Sequence, residues 1–125
     1  MTVSSHQTLE STAWEFLAAI ERQDFNHLEH LLEPNVRFRV LVPAKLREAD
    51  EPRGAVDNFR RWFAGADHLE VMAKEVDSTA DRVRFRYLIK IHDDDGWAVI
   101  DQSGYLAGAE RIESLDIVCS GFRPL

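Results

Sequence analysis

Apolar residues recur along this chain with two distinct periods, and the change of period divides it into a helical first half and a strand-rich second half. Ser4-x-x-Gln7 has the form of a capping box and opens a helix predicted to run to about Arg22. Ala13, Phe16, Leu17 and Ile20 fall at helical spacing as its buried stripe, with Trp14 on the flank. Asp24 suits the N-cap of a second, short helix in which Phe25, Leu28, Leu31 and Leu32 point inward and which Pro34 ends. From Val36 to Val42 the period falls to two, a strand with Val36, Phe38 and Val40 on one face and Arg37 and Arg39 on the other. The polar, proline-containing stretch from Pro43 to Arg53 predicts a loop. A third helix, from about Gly54 to Ala64, buries Val56, Phe59, Trp62 and Phe63.

The remainder predicts a meander of three long strands preceded by a shorter one at about Leu69 to Val76. Between Arg82 and His92 the alternation is clearest: Val83, Phe85, Tyr87, Ile89 and Ile91 form an apolar face, and Arg82, Arg84, Arg86 and Lys90 a basic one. Asp93-Asp94-Asp95-Gly96 is a hairpin turn, Trp97 to Leu106 returns, Gly108 turns again, and Ile112 to Ser120 closes the sheet. With Asp95 and Gly96 as the central turn residues, Lys90 lies opposite Asp101, Arg86 opposite Tyr105, Ile91 opposite Ile100, Ile89 opposite Gln102 and Tyr87 opposite Gly104. This register pairs charges on one face and apolar groups on the other. A three-residue turn would place Asp101 opposite Ile89 on the inside, where an unpaired carboxylate is costly, so the first register is preferred. The pattern as a whole predicts one α+β domain over residues 1–125.

Composition narrows the function. The 45% apolar and 30% charged residues are those of a soluble globular domain, and a net charge of −7 disfavours nucleic acid and anionic membrane surfaces. The first residues carry neither a basic nor an apolar targeting segment, and no apolar run approaches the ~20 residues that span a bilayer. Cys119 is the single cysteine, which excludes an internal disulfide framework and fits a cytoplasmic location. No phosphate-binding glycine loop or metal-ligand set is present, so no cofactor is expected.

Four short motifs stand along this order of elements: FLAAIERQDF (16–25), LLEPNVRF (31–38), Arg53-Gly54 before a helix, and Glu110-Arg111-Ile112 opening the last strand. With helix, short helix, strand, helix and then a long meander, they resemble the nuclear transport factor 2-like superfamily over nearly the whole chain. Within it the chain is similar to the ketosteroid isomerase and polyketide-cyclase-like (SnoaL-like) branch. The resemblance implies a cystatin-like cone, a curved antiparallel or mixed sheet wrapped around three helices of the N-terminal half. It also implies an open end that admits a hydrophobic ligand, and a homodimer through the outer sheet face. The family isomerase uses a tyrosine, a carboxylate base and a protonated aspartate, a system whose neutral carboxylic acid is a standard example of pKa tuning. Alignment on Asp24 and Arg111-Ile112 puts Phe16, Val40 and Gln102 at those three positions. None of them supplies the original chemistry, and that isomerase mechanism is not expected.

The candidate ligand lining is Phe16, Phe38, Val40, Trp62, Tyr87, Ile89, Gln102, Leu115, Ile117 and Cys119. Gln102 and Tyr87 are its polar handles, or else Gln102 is bonded to backbone or to Tyr87. Asp101 and Asp116 are the candidate carboxylates for acid–base work. His27 and His30 stand three apart on a helix without a third metal ligand, and His92 adjoins the aspartates of the turn. Arg37, Arg39, Arg84, Arg86 and Lys90 belong on the outer sheet face, where Asp101, Glu113 and Asp116 can neutralise them in a dimer contact. Two functions follow. One is a noncatalytic binding or association domain with a small hydrophobic pocket. The alternative is an enzyme of the polyketide-cyclase or isomerase-like class, acting by acid–base chemistry on a hydrophobic oxygenated small molecule.

Overall fold

A computed structural model describes residues 5–125 and the side chains of residues 8–125. The proposed Ser4-x-x-Gln7 capping box lies outside the described residues. The first helix, α1 (Ser5–Glu21), buries Leu9, Ala13, Phe16, Leu17 and Ile20, while Trp14 faces outward at 44% exposure. Gln23, at φ 57, turns the chain, and its side-chain amide donates to the carbonyls of Phe63 and Ala66 at 2.8 and 3.2 Å. Asp24 caps α2 (Phe25–His30) as expected, its carboxylate accepting the His27 amide at 3.1 Å.

Pro34 does not end this helix. The chain is already in β1 (Leu32–Val42) by then, and Pro34 sits where the pairing of β1 with its neighbour shifts register between Leu32 and Arg37. An irregularity there spares the ladder a donor that proline lacks. The expected loop after Pro43 is instead a hairpin: β2 (Lys45–Ala49) pairs with β1, Val42 opposite Lys45. Its two turn residues are Pro43 and Ala44, and Ala44 takes the positive φ (72) usually left to glycine, so the turn carries no glycine signal. The third helix, α3 (Pro52–Phe63), starts with proline in its first turn and buries Val56, Phe59 and Phe63, with Trp62 half-buried.

Four strands follow, β3 (His68–Thr79), β4 (Arg82–Asp93), β5 (Gly96–Gly108) and β6 (Ile112–Cys119), with a two-residue β7 (Arg123–Pro124) beyond them. The strand β3 is as long as its neighbours, not shorter. Most of its residues are exposed, so it lacks the apolar alternation that reveals a strand in sequence. The sheet runs β2-β1-β6-β5-β4-β3, with β7 beside β5, and only the β1–β6 contact is parallel. One face packs on α1 and α3, and the core lies between.

The β4–β5 register differs from the expected one by two residues. Asp93 pairs with Gly96, leaving Asp94 and Asp95 as the turn residues. The Asp93 carboxylate accepts the Asp95 amide at 2.8 Å, and Gly96 (φ 102) takes the positive φ just after the turn. A shift of two keeps every side chain on its expected face, since the strand period is two, but changes its partner. Tyr87 now lies opposite Gln102, Ile89 opposite Ile100, Lys90 opposite Val99 and Asp101 opposite Leu88.

Candidate functional site

That register brings three of the candidate residues together inside the fold. Gln102 is wholly buried on β5, with Tyr87 of β4 on one side and Cys119 of β6 on the other. The Tyr87 hydroxyl donates to Gln102 Oε1, and Gln102 Nε2 donates to Cys119 Sγ at 3.2 Å. Each polar group therefore satisfies the next in surroundings that admit no water-exposed alternative. Burial, followed by the nearby Cys119, pushes the Tyr87 pKa well above its ordinary value. Because the folded state then holds this proton more tightly than the unfolded chain, Tyr87's contribution is complete below about pH 10 and falls as pH rises beyond it.

Breaking the pair from either side strands a buried polar atom. Tyr87→Phe and Gln102→Leu are each expected to cost about 1–3 kcal/mol in urea unfolding. The double variant is expected to cost less than the sum, since no unpaired partner remains. Additive losses would show that the two side chains do not depend on each other.

The other lining candidates pack against one another. Phe16 meets Phe59 and Phe85 edge-on at 5.6 and 5.3 Å, and Phe38 meets Phe59 at 6.0 Å. Val40, Ile89, Leu115 and Ile117 are buried at 3% exposure or less. Trp62 leans on Phe59 at 5.2 Å and on Phe63 at 6.2 Å, and Phe63 in turn meets Phe122 at 6.5 Å. Of the three positions aligned with the isomerase's polar residues, Phe16 and Val40 are wholly apolar contacts, and only Gln102 carries a hydrogen-bonding group.

Both candidate carboxylates stand on the opposite face of the sheet, each in an ion pair. Asp101 is not with Lys90 but receives two bonds from Arg86, at 2.9 and 3.2 Å, while Lys90 lies over the Trp97 ring at 4.8 Å. The two-residue register shift is the cause. Asp116 accepts Arg39 Nε at 2.8 Å, and the hydrogen bond and the charge of Asp116 both raise the Arg39 pKa. Arg84 is held by Asp77 at 2.6 Å and Glu75 at 3.4 Å, partners on β3 that sequence reasoning did not assign. His27 faces Glu15 at 3.9 Å, the His30 ring bonds the Asn26 carbonyl at 2.8 Å, and His92 bonds Asp67 at 2.8 Å rather than the turn. Among the described residues, no group of three or more His, Cys, Asp or Glu is placed to hold a metal ion. Among them, too, no helix is long and apolar enough to cross a membrane.

The outer face is organised in rows across the strands. One row reads Asp77, Arg84, Tyr105, Asp116, Arg39, Glu48, and the next reads Glu75, Arg86, Ser103, Val118, Leu41, Leu46. The apolar members stand unusually open: Val118, Leu46, Leu41 and Tyr105 are 58, 54, 50 and 41% exposed. They line a concavity of about 480 Å³ with Arg39, Arg84 and Asp116 on its walls. Tyr105 and Val118 could have been read from strand alternation, whereas Leu46 was hidden in the supposed loop.

No family model matches the chain, and no curated protein matches its sequence. Solved structures do. A Bacillus subtilis protein superposes with a TM-score of 0.79 at 14% identity, over 94% of this chain and 90% of its own. An epoxide hydrolase of M. tuberculosis, LEH-like, matches with a TM-score of 0.70 at 11% identity, over 94% and 86%. A protein of ketosteroid isomerase-like fold from Catenulispora acidiphila, in complex with trimethylamine, matches with a TM-score of 0.71 at 15% identity, over 88% and 85%. At these identities the likeness speaks to architecture: three helices against a curved mixed sheet is the ketosteroid isomerase-like fold, and this chain has it.

Proposed function

We propose that this chain is a noncatalytic binding and association domain: its interior takes a hydrophobic small molecule, and its outer sheet face joins a second copy. The observation that carries the reading is the separation of its polar groups. The carboxylates available for proton transfer, Asp101 and Asp116, are on the outer face and engaged by Arg86 and Arg39. The interior holds Tyr87, Gln102 and Cys119, which are hydrogen-bonded to one another in series. Gln102 can exchange its Oε1 bond with Tyr87 for one from a ligand hydroxyl, or its Nε2 bond with Cys119 for one to a ligand carbonyl, with the aromatic core as the apolar wall.

The outer face supports the second half of the reading. An apolar row flanked by fixed ion pairs of both signs is self-complementary, as an isologous dimer contact requires. Its arginines, already paired within the chain, enter such a contact without stranding a charge. The buried lone thiol of Cys119 supports the cytoplasmic location.

A thermal-shift series with steroids, aromatic polyketides and other hydrophobic carbonyl compounds tests the ligand. A binder at a hundred times its dissociation constant is expected to add about 2.7 kcal/mol of stability to the wild type. Gln102→Leu, compared with its own ligand-free baseline, is expected to lose most of that gain. A compound that stabilises both proteins equally would remove Gln102 from the ligand's contacts.

A further inference from the structure

The residues closing the fold over Cys119 form a thin cover. The strand β6 ends at Cys119, and the chain rejoins the sheet only through Arg123 and Pro124, opposite Val99 and Ala98 of β5. Ser120 is fastened to Asp101 from both sides. Its amide donates to the Asp101 carbonyl, and its hydroxyl oxygen accepts the Asp101 amide, each at 2.9 Å. Past that point the attachments thin out. Gly121 turns at φ 74, Phe122 rests its ring on Phe63 while 40% exposed, and Leu125, 71% exposed, donates its amide to the Trp97 carbonyl at 3.1 Å. Pro124 contributes no backbone donor.

What lies beneath is of another kind. Phe63 is wholly buried, Cys119 is 5% exposed, and the Gly121 amide points at Cys119 Sγ at 3.4 Å. Cys119 is in turn bonded to Gln102. Pro43, from the β1–β2 turn, stands against the other side of Gly121, in the direction a side chain would take. A short segment with a firm hinge, few backbone bonds and a half-exposed aromatic anchor is of the class that opens locally while the sheet stays folded.

We propose that Gly121–Leu125 is a strap hinged at Ser120, whose lifting uncovers Cys119 and the Gln102 amide and so opens the interior to an apolar molecule carrying a carbonyl or hydroxyl group. The identity of that molecule rests on the function proposed above; the strap itself does not. Lifting breaks the Gly121–Cys119 bond, the Phe122–Phe63 contact, the two-residue β7 pairing and the Leu125–Trp97 bond, and leaves every other strand pairing in place.

Cys119, the single cysteine, reports this motion without any ligand. Its labelling by a small aromatic disulfide reagent is followed on the full chain across low urea concentrations. Local opening exposes little surface, so the wild-type rate is expected to vary weakly with urea, whereas global unfolding carries the full denaturant dependence. Phe122→Ala is expected to speed labelling at least about tenfold with the urea midpoint nearly unchanged. Gly121→Ala, which meets a positive φ and Pro43 Cγ at 2.9 Å, is expected to act in the same direction. Leu106→Ala, in the core, is expected to lower the midpoint without changing the native labelling rate. Labelling that tracks global unfolding in all of these proteins, or a Phe122→Ala rate equal to wild type, would overturn the strap. Fast, urea-independent labelling together with no thermal shift for any compound would keep the strap and overturn the ligand.

Discussion

Gly104→Ala is expected to destabilise the fold by at least ~4 kcal/mol, enough to remove most of the margin of an ordinary domain. A Cβ at Gly104 would lie 1.9 Å from the carbonyl oxygen of Asp116 and 3.0 Å from the Cα of Ile117. Both obstacles are backbone, so neither can swing aside as a side-chain tip would. Relief requires β5 and β6 to separate, and with them the Tyr105–Asp116 and Gln102–Cys119 pairings. Urea unfolding or soluble yield measures the loss. Gly65→Ala is the control, since nothing lies within 4 Å of its added carbon. A Gly104→Ala protein as stable as Gly65→Ala would mean that the two strands do not approach this closely.

Gly104 also marks a limit of sequence reasoning. A glycine in a strand signals a bulge or a close approach in general, but the approaching backbone becomes known only when β6 is placed beside β5. Other features were legible for definite reasons. The inward sets of β1, β4 and β6 followed from strict alternation, and the two-residue register error left them intact because faces repeat every second residue. Partners were not protected in this way. Asp101 moved from Lys90 to Arg86, and Gln102 moved from opposite Ile89 to opposite Tyr87, to which it is bonded. The strands β2 and β7 escaped because one follows a turn without glycine and the other is two residues long. The role of Asp77 and Glu75 escaped because β3 has only Leu69, Val71 and Val76 partly buried against the core, and its pairing with β4 shifts register between Val71 and Ala73, so the apolar positions do not count through to Glu75 and Asp77.

The second large effect concerns the outer face. Val118→Lys is expected to weaken self-association at least about 100-fold, equivalent to ~2.7 kcal/mol, while leaving the stability of the single chain within ~0.5 kcal/mol. Val118 is 58% exposed and sits between Ser103 and Leu41 in the apolar row. Its truncation or replacement therefore disturbs little of the chain's own packing. In an isologous contact the change enters twice, and each copy must desolvate an ammonium group beside Arg39 and Arg84, whose carboxylates are already engaged. The enzyme alternative named two carboxylates, Asp101 and Asp116, for its acid–base work. The two acids named for it are on this outer face, where they hold arginines in position instead.

Both halves of the proposed function meet in this division, with hydrogen-bonding groups inside and fixed charges around an apolar row outside. Sedimentation equilibrium of the wild-type chain at micromolar concentration, with Val118→Lys beside it, examines it most directly. The account predicts twice the chain mass for the wild type and the single chain mass for Val118→Lys. A wild-type protein that stays at the single chain mass at every concentration, or a Val118→Lys protein that dimerises as tightly as wild type, would contradict it.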